Sequence, residues 1–141
     1  MTAKPIDLSS LVKALAQLQD ALRFWHEQPQ GSALKLHLRS AVIQSFEFTY
    51  ELSLRMLRRV LIERSEVADL VVDLSFNDLL RKGADAGFVA APEVWRQWRE
   101  MRNSTSHTYD EAKAAEVAAE IDRFAASAVE LLAELEKSLG R

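Results

Sequence analysis

Apolar residues recur along this chain at helical spacing, over stretches too long to be read as anything but helix. Leu8, Leu11, Leu15, Leu18, Leu22 and Trp25 follow one another at intervals of 3, 4, 3, 4 and 3 residues, which lays them along one helix face. Near the other end Val117, Ile121, Phe124, Ala128, Leu131 and Leu135 repeat the pattern at 4, 3, 4, 3 and 4. A seam of this kind is stable only against other seams, so two such helices require partners of comparable length. The stretch from about Ser32 to Arg64 is one. It runs past about 25 residues without Gly or Pro, and Leu38, Val42, Phe46, Leu52, Met56 and Val60 are its inward candidates.

The remaining punctuation sets the other elements. Asp7 or Ser9 is placed to cap the first helix, which should end near Gln28, ahead of Pro29 and Gly31. Val67 to Leu74 is β-branched and apolar, but an isolated strand would have no partner, so it reads as a connector. Ser75-Phe76-Asn77-Asp78 has the form of an N-cap with an acid three residues on. It opens a short helix to about Ala86, closed by Gly87. Pro92-Glu93 suits a first helical turn, and that helix carries Val94, Trp95, Trp98 and Met101 up to Arg102. Asp110-Glu111 starts the last helix, which ends near Gly140. The expected fold is all-α: an up-and-down four-helix bundle with one additional short helix, residues 1–141 forming a single domain.

At 141 residues the chain can bury a substantial core without covalent staples. It has no cysteine, which excludes disulfides and thiolate metal sites and makes a reducing cytoplasm the expected location. Met1-Thr2-Ala3-Lys4-Pro5 is not followed by an apolar run, so no signal peptide is expected, and no stretch approaches the roughly 20 apolar residues of a membrane span. A net charge of -3 argues against indiscriminate coating of nucleic acid, and no DNA partner is expected. The charge is nonetheless uneven. Asp110 to Arg141 holds eight acids against four Lys/Arg, and Leu34 to Arg64 holds three acids against six Lys/Arg. A basic second helix beside an acidic last helix suits an anionic ligand. An ordinary solvated face accounts for the charges equally well.

One stretch is chosen for chemistry rather than packing: Arg102-Asn103-Ser104-Thr105-Ser106-His107-Thr108-Tyr109. On an unbroken helix Arg102 and His107 would face about 140° apart. They converge only if the helix ends near Asn103 and the chain turns, which Asn, Ser and Thr favour by competing for backbone hydrogen bonds. The expectation is a helix end, a polar turn and a new helix start, with Arg102 and His107 facing one pocket.

Other chemistries lack their residues. The glycines (Gly31, Gly83, Gly87, Gly140) make no phosphate-cradling loop, and without an Asp-x-Asp pair the chain is not itself a nucleotidyltransferase. Glu47 and Glu51 share a helix face, but no histidine stands three residues after a glutamate as a di-iron bundle requires. Pairing with arginine or hydroxyl groups is the simpler role for them. His26 and His37 read as surface residues, and Trp95 and Trp98 as core or dimer packing rather than base stacking.

Arginine and histidine without metal or thiol suit cleavage of RNA by its own 2′-hydroxyl. An imidazole titrates near neutrality and can take or supply a proton, and the arginine fork can bind two phosphate oxygens. One histidine does not easily make both proton transfers, which two copies of the pocket across a dimer interface would solve. On residue types alone Arg-x4-His is short, and an interhelix loop with a helix-capping histidine accounts for it more simply.

Arg102-Asn103-x-Thr105-Ser106-His107-Thr108-Tyr109 resembles the signature of HEPN-domain proteins (higher eukaryotes and prokaryotes nucleotide-binding). More narrowly, it resembles the bacterial branch known as nucleotidyltransferase substrate-binding proteins. Arg39-Ser40-Ala41-Val42-Ile43-Gln44-Ser45-Phe46-Glu47-Phe48-Thr49-Tyr50-Glu51-Leu52 resembles that branch's other recurring segment. Length and architecture agree, so the resemblance spans nearly the whole chain.

The resemblance implies the HEPN toxin of a type II HEPN/MNT toxin–antitoxin system: a cytoplasmic, homodimeric, metal-independent endoribonuclease acting on RNA with no cofactor. Arg102 and His107 would be catalytic. Asn103 would orient the catalytic group or the loop, with Ser106, Glu47 and Glu51 in support. The implied partner is an MNT-type minimal nucleotidyltransferase antitoxin, which attaches AMP to the tyrosine of Arg-x4-His-x-Tyr members, here Tyr109. Anionic AMP beside Arg102 and His107 would occupy the place of an RNA phosphate. A second function fits the same residues: a noncatalytic substrate-binding subunit of a two-component nucleotidyltransferase, presenting a substrate or Tyr109 to it. A third is a bundle that only dimerises.

Overall fold

In chain order the helices are α1 (Ser9–Glu27), α2 (Ala33–Arg64), α3 (Ala68–Val72), α4 (Phe76–Asp85), α5 (Pro92–Ser104) and α6 (Glu111–Ser138), with a 3-10 turn, Thr105–His107, between the last two. This computed structural model describes residues 6–65 and 67–140; the reading made on Met1–Pro5 lies outside the described residues.

The two sequence seams are core. Leu8, Leu11, Leu15, Leu18 and Leu22 are buried, as are Val117, Ile121, Phe124, Ala128, Leu131 and Leu135. On α2 the inward face carries Val42, Phe46, Leu52, Met56 and Val60, and also two buried hydroxyls. Thr49 donates to the Ala14 carbonyl (3.4 Å) and Ser53 to the Thr49 carbonyl (2.8 Å), so neither is left unsatisfied inside the bundle.

Contacts at the helix ends give the chain directions. Lys35 lies over the Trp25 ring and Thr49 reaches Ala14, so α1 and α2 run antiparallel. Arg39 meets Glu111 at one end and Arg64 meets Ser138 at the other, so α2 and α6 run parallel. Ser104 shares a cleft with Lys113, and Trp98 bonds Ser127, so α5 opposes α6. The long helices thus alternate in direction, as expected of an up-and-down bundle.

The caps are local and readable. Ser32 and Ser75 each accept a backbone N–H three residues on, and Asp110 accepts those of Ala112 and Lys113. Gly87, at φ +84°, ends α4 in a conformation that side chains resist. Gly83 does something different. A Cβ there would stand 2.9 Å from Val89 Cγ2 and 3.3 Å from Leu57, so its missing side chain lets α4 close on α2.

Two elements depart from expectation. Val67 to Leu74 is not a bare connector but contains the five-residue helix α3. Arg58 of α2 donates to the carbonyls of Val71 (2.9 Å) and Val72 (3.2 Å), satisfying the end of a helix too short to stand alone. The 3-10 turn is the other.

Phe124 of α6 is the meeting point of the aromatic core. Its ring centroid lies 4.8 Å from Phe46, 6.5 Å from Tyr50, and 5.9 Å from both Trp95 and Trp98. It therefore joins α2, α5 and α6. Phe124→Ala should lower stability by about 3–5 kcal/mol in equilibrium denaturation, at the upper end of large-to-small core changes. Phe124→Leu, which keeps most of the volume, should cost clearly less.

Candidate active site

The polar stretch begins as the end of α5. A helix leaves its last carbonyls without intrahelical partners, and here neighbouring hydroxyls take several of them. Ser104 Oγ donates to the Glu100 carbonyl (3.1 Å), Ser106 Oγ to that of Asn103 (3.0 Å), and Thr108 Oγ1 to that of Thr105 (3.0 Å). Thr105 Oγ1 lies 2.7 Å from the Arg102 carbonyl. The chain consequently keeps its helical sense through Thr105–His107 and breaks only before Asp110. α5 thus ends at Ser104, one residue past Asn103, and the polar turn expected between the two helices takes the form of a 3-10 turn.

The two candidate catalytic residues differ in their surroundings. Arg102 turns toward α2. Its Nη2 donates to Glu51 Oε1 (2.9 Å), and its Nη1 lies 3.0 Å from Glu47 Oε2 and 2.9 Å from Thr105 Oγ1. Thr105 Oγ1 is also 3.1 Å from Glu47 Oε2, so the buried hydroxyl bridges arginine and carboxylate. Arg102 Nε is buried with no acceptor among the described residues. His107 faces solvent instead, with Tyr109 as its ring neighbour at 6.1 Å. No hydrogen bond or ion pair joins Arg102 and His107 among the described residues.

Glu47 and Glu51 take the role of arginine and hydroxyl partners rather than of a metal pair. Asn103 is exposed and Ser106 is engaged with the backbone of its own turn. Tyr109 is 86% exposed, so its hydroxyl is open to a modifying enzyme. His37 is exposed, Trp95 and Trp98 are core, and His26 is a surface residue paired with Asp122 (2.9 Å).

From the sequence alone Thr105 and Arg39 carry no role of their own, and whether Tyr50 serves the site or only the fold stays open. Thr105 is signalled only by its place three residues after Arg102, which becomes informative once that segment is known to be helical. Tyr50 is buried beneath the ion pair. Burial pushes its phenol up to about 12, against the pull of Arg99 and Arg102, while Glu51 adds to the rise. Arg39 holds Glu111 with two nitrogens (2.6 and 2.8 Å), which keeps that carboxyl below its ordinary range. A cleft of about 250 Å³ runs from Arg39 to Glu47 and Thr108.

Comparison with known proteins agrees with this architecture. Residues 6–137 match the family described as "Nucleotidyltransferase substrate binding protein like". A Haemophilus influenzae protein named "Probable ribonuclease HepT" is 39% identical over 126 residues, spanning 89% of this chain and 84% of that protein. A solved structure from Haemophilus influenzae, described as revealing the fold of a substrate binding domain of a nucleotidyltransferase, superposes with a TM-score of 0.83 at 35% identity. That alignment covers 92% of this chain and 99% of the solved one.

The chain has two tyrosines, so Tyr109→Phe leaves Tyr50 as the sole phenol. Its ultraviolet titration should show a midpoint of about 12. The sign for stability follows from the neutral form being favoured in the fold. Stability from Tyr50 is present below the unfolded phenol's value of about 10 and is lost as pH rises toward the folded one. A midpoint near 10 in the folded protein would contradict the burial of this ring.

Proposed function

Because the chain belongs to the nucleotidyltransferase substrate-binding protein family, the HEPN branch that its motifs resemble, we propose that it is a metal-independent endoribonuclease. It acts as the toxin of a HEPN/MNT pair. The observation that carries this reading is the placement of Arg102: a guanidinium at a helix end, held by Glu47, Glu51 and Thr105, with an exposed imidazole five residues on and an exposed phenol seven residues on. The name of the Haemophilus influenzae relative supports it at the level of ribonuclease chemistry.

In the proposed reaction His107 takes the proton of the ribose 2′-hydroxyl. The freed oxygen attacks the adjacent phosphorus, and the P–O5′ bond breaks to leave a cyclic phosphate. A second imidazole gives the departing 5′-oxygen its proton. Because one His107 cannot serve both ends of an in-line displacement, the acting unit is a homodimer contributing two. Arg102 stabilises the charge that builds on the phosphoryl oxygens. Its Nη2 becomes available when the half-exposed Glu51 swings aside, while Nη1 stays fixed by Glu47 and Thr105. Silencing follows if a minimal nucleotidyltransferase adds AMP to Tyr109, placing an anion where RNA phosphate would bind.

A second reading, the noncatalytic subunit, draws on the observation that two carboxylates already hold the terminal nitrogens of Arg102. It retains the modification of Tyr109 and omits the cleavage.

The purified protein should cleave RNA in the presence of a chelator. His107→Ala and Arg102→Ala should each reduce the rate by at least about 10²-fold with unchanged circular dichroism, and Arg102→Lys should restore little because it lacks the fork. Co-expression with a minimal nucleotidyltransferase should add mass in AMP units that Tyr109→Phe abolishes. Cleavage that survives both alanine variants ends the ribonuclease reading. AMP addition without cleavage by the wild type favours the second.

A further inference from the structure

Arg39 stands where two clefts meet. The larger, about 550 Å³, lies between the α1–α2 turn and α6 and is walled by Trp25, His26, Lys35, Leu36 and Ala115. The smaller continues along α2 past Ile43 and Gln44 to Glu47 and Thr108. It therefore ends at the carboxylate that fixes Arg102 and at the residue following His107. At about 1.5 Å per residue, α2 sets Arg39 about 12 Å from Glu47 along its axis.

Lys35 and Arg39 are four residues apart and project from one face of α2 into this channel. Each has a partner. The Lys35 ammonium lies 4.9 Å from the Trp25 ring centre and donates to the Gln28 carbonyl (3.2 Å), and Arg39 grips Glu111. The Arg39–Glu111 pair is unequal. The Arg39 side chain is 15% exposed, whereas that of Glu111 is 75% exposed. A guanidinium set into the wall can exchange a swinging surface carboxylate for two phosphate oxygens without moving itself. His26 of the same wall is paired with Asp122 of α6, and Glu47 at the far end of the smaller cleft is held by Arg102. Trp25, Leu36 and the small Ala115 and Ala119 give the channel an apolar wall of the kind a base packs against.

The geometry points to this channel as the path of single-stranded RNA beside the scissile phosphate, with Arg39 and Lys35 holding backbone phosphates and the Trp25–Leu36 wall holding a base. The identity of the ligand rests on the ribonuclease reading; the channel itself rests on these residues.

The test is binding of a fluorescent single-stranded RNA by the full chain carrying His107→Ala, so that the RNA stays intact, over a series of salt concentrations. Lys35→Ala and Arg39→Gln should each weaken binding about tenfold and reduce the salt slope by about one. Arg81→Ala, a change at an exposed arginine on α4, should do neither. Glu111→Gln, which releases Arg39, should tighten binding several-fold, a gain that a purely structural ion pair would not produce. RNA should also alter tryptophan fluorescence through half-buried Trp25, and Trp25→Phe should remove that change, because Trp95 and Trp98 are core. Unchanged affinity in Lys35→Ala and Arg39→Gln, or no RNA binding at all, overturns the channel whether or not the wild type cleaves. Dependence on both residues with no cleavage by the wild type keeps the channel and removes the ribonuclease.

Discussion

The packing of four aromatic rings on Phe124 is the constraint on which the candidate site depends. α5 has 13 residues and no long seam, so little of its position comes from its own pattern. Trp95 and Trp98 fix it by closing on Phe124 from one side, while Phe46 and Tyr50 of α2 close from another. The Trp98 indole donates to Ser127 (3.0 Å), which sets the rotation of α5 as well as its depth. Once Phe46 and Tyr50 face inward, Glu47 and Glu51 stand one position further round α2, about 100° away. That is the edge at which α5 ends. The ion pair to Arg102 is thus a consequence of apolar packing, and the charged groups meet because the rings beneath them do.

The hydroxyl-rich segment after Arg102 performs a backbone task. Ser104, Thr105, Ser106 and Thr108 each turn back on a carbonyl three or four residues earlier, so the end of α5 is closed from within. Asn103, His107 and Tyr109 are the members of the stretch whose side chains have no such duty, and all three are exposed. Residues that terminate the helix and residues that face outward are interleaved in one short segment.

The seams of α1 and α6 were legible because each rests on its own periodicity, and the caps of α4 and α6 because Ser75 and Asp110 lie within three residues of the N–H groups they serve. At α1 the expected cap, Asp7 or Ser9, gives way to Leu8, and Asp7 accepts the Ser9 N–H from outside the helix. Much less of α3 was legible, since its closing hydrogen bonds come from Arg58, more than a dozen residues earlier in the chain. At the site, the partnership of Glu47 and Glu51 with arginine could be read from their shared helix face, but Thr105 could not. Small polar residues suggest a chain break by propensity. Here the same side chains, bonded to carbonyls behind them, close α5 at Ser104 and carry the chain into a 3-10 turn. Propensity describes the competition for backbone groups and not the form that the turn takes.

The carboxylates around Arg102 bear on how the proposed chemistry would be arranged. A guanidinium between two carboxylates is a poor anion receptor until one of them leaves, and the two glutamates are not equivalent. Glu47 is the more buried, and it shares Thr105 with the guanidinium; Glu51 is half exposed and holds a single nitrogen. Displacing Glu51 frees one edge of the fork while the other stays positioned, so the arginine need not be reorganised as charge develops. His107 is exposed and takes no part in that arrangement. An exposed imidazole can be offered to a phosphate from either copy of the proposed dimer, so that the two histidines serve the two ends of one displacement.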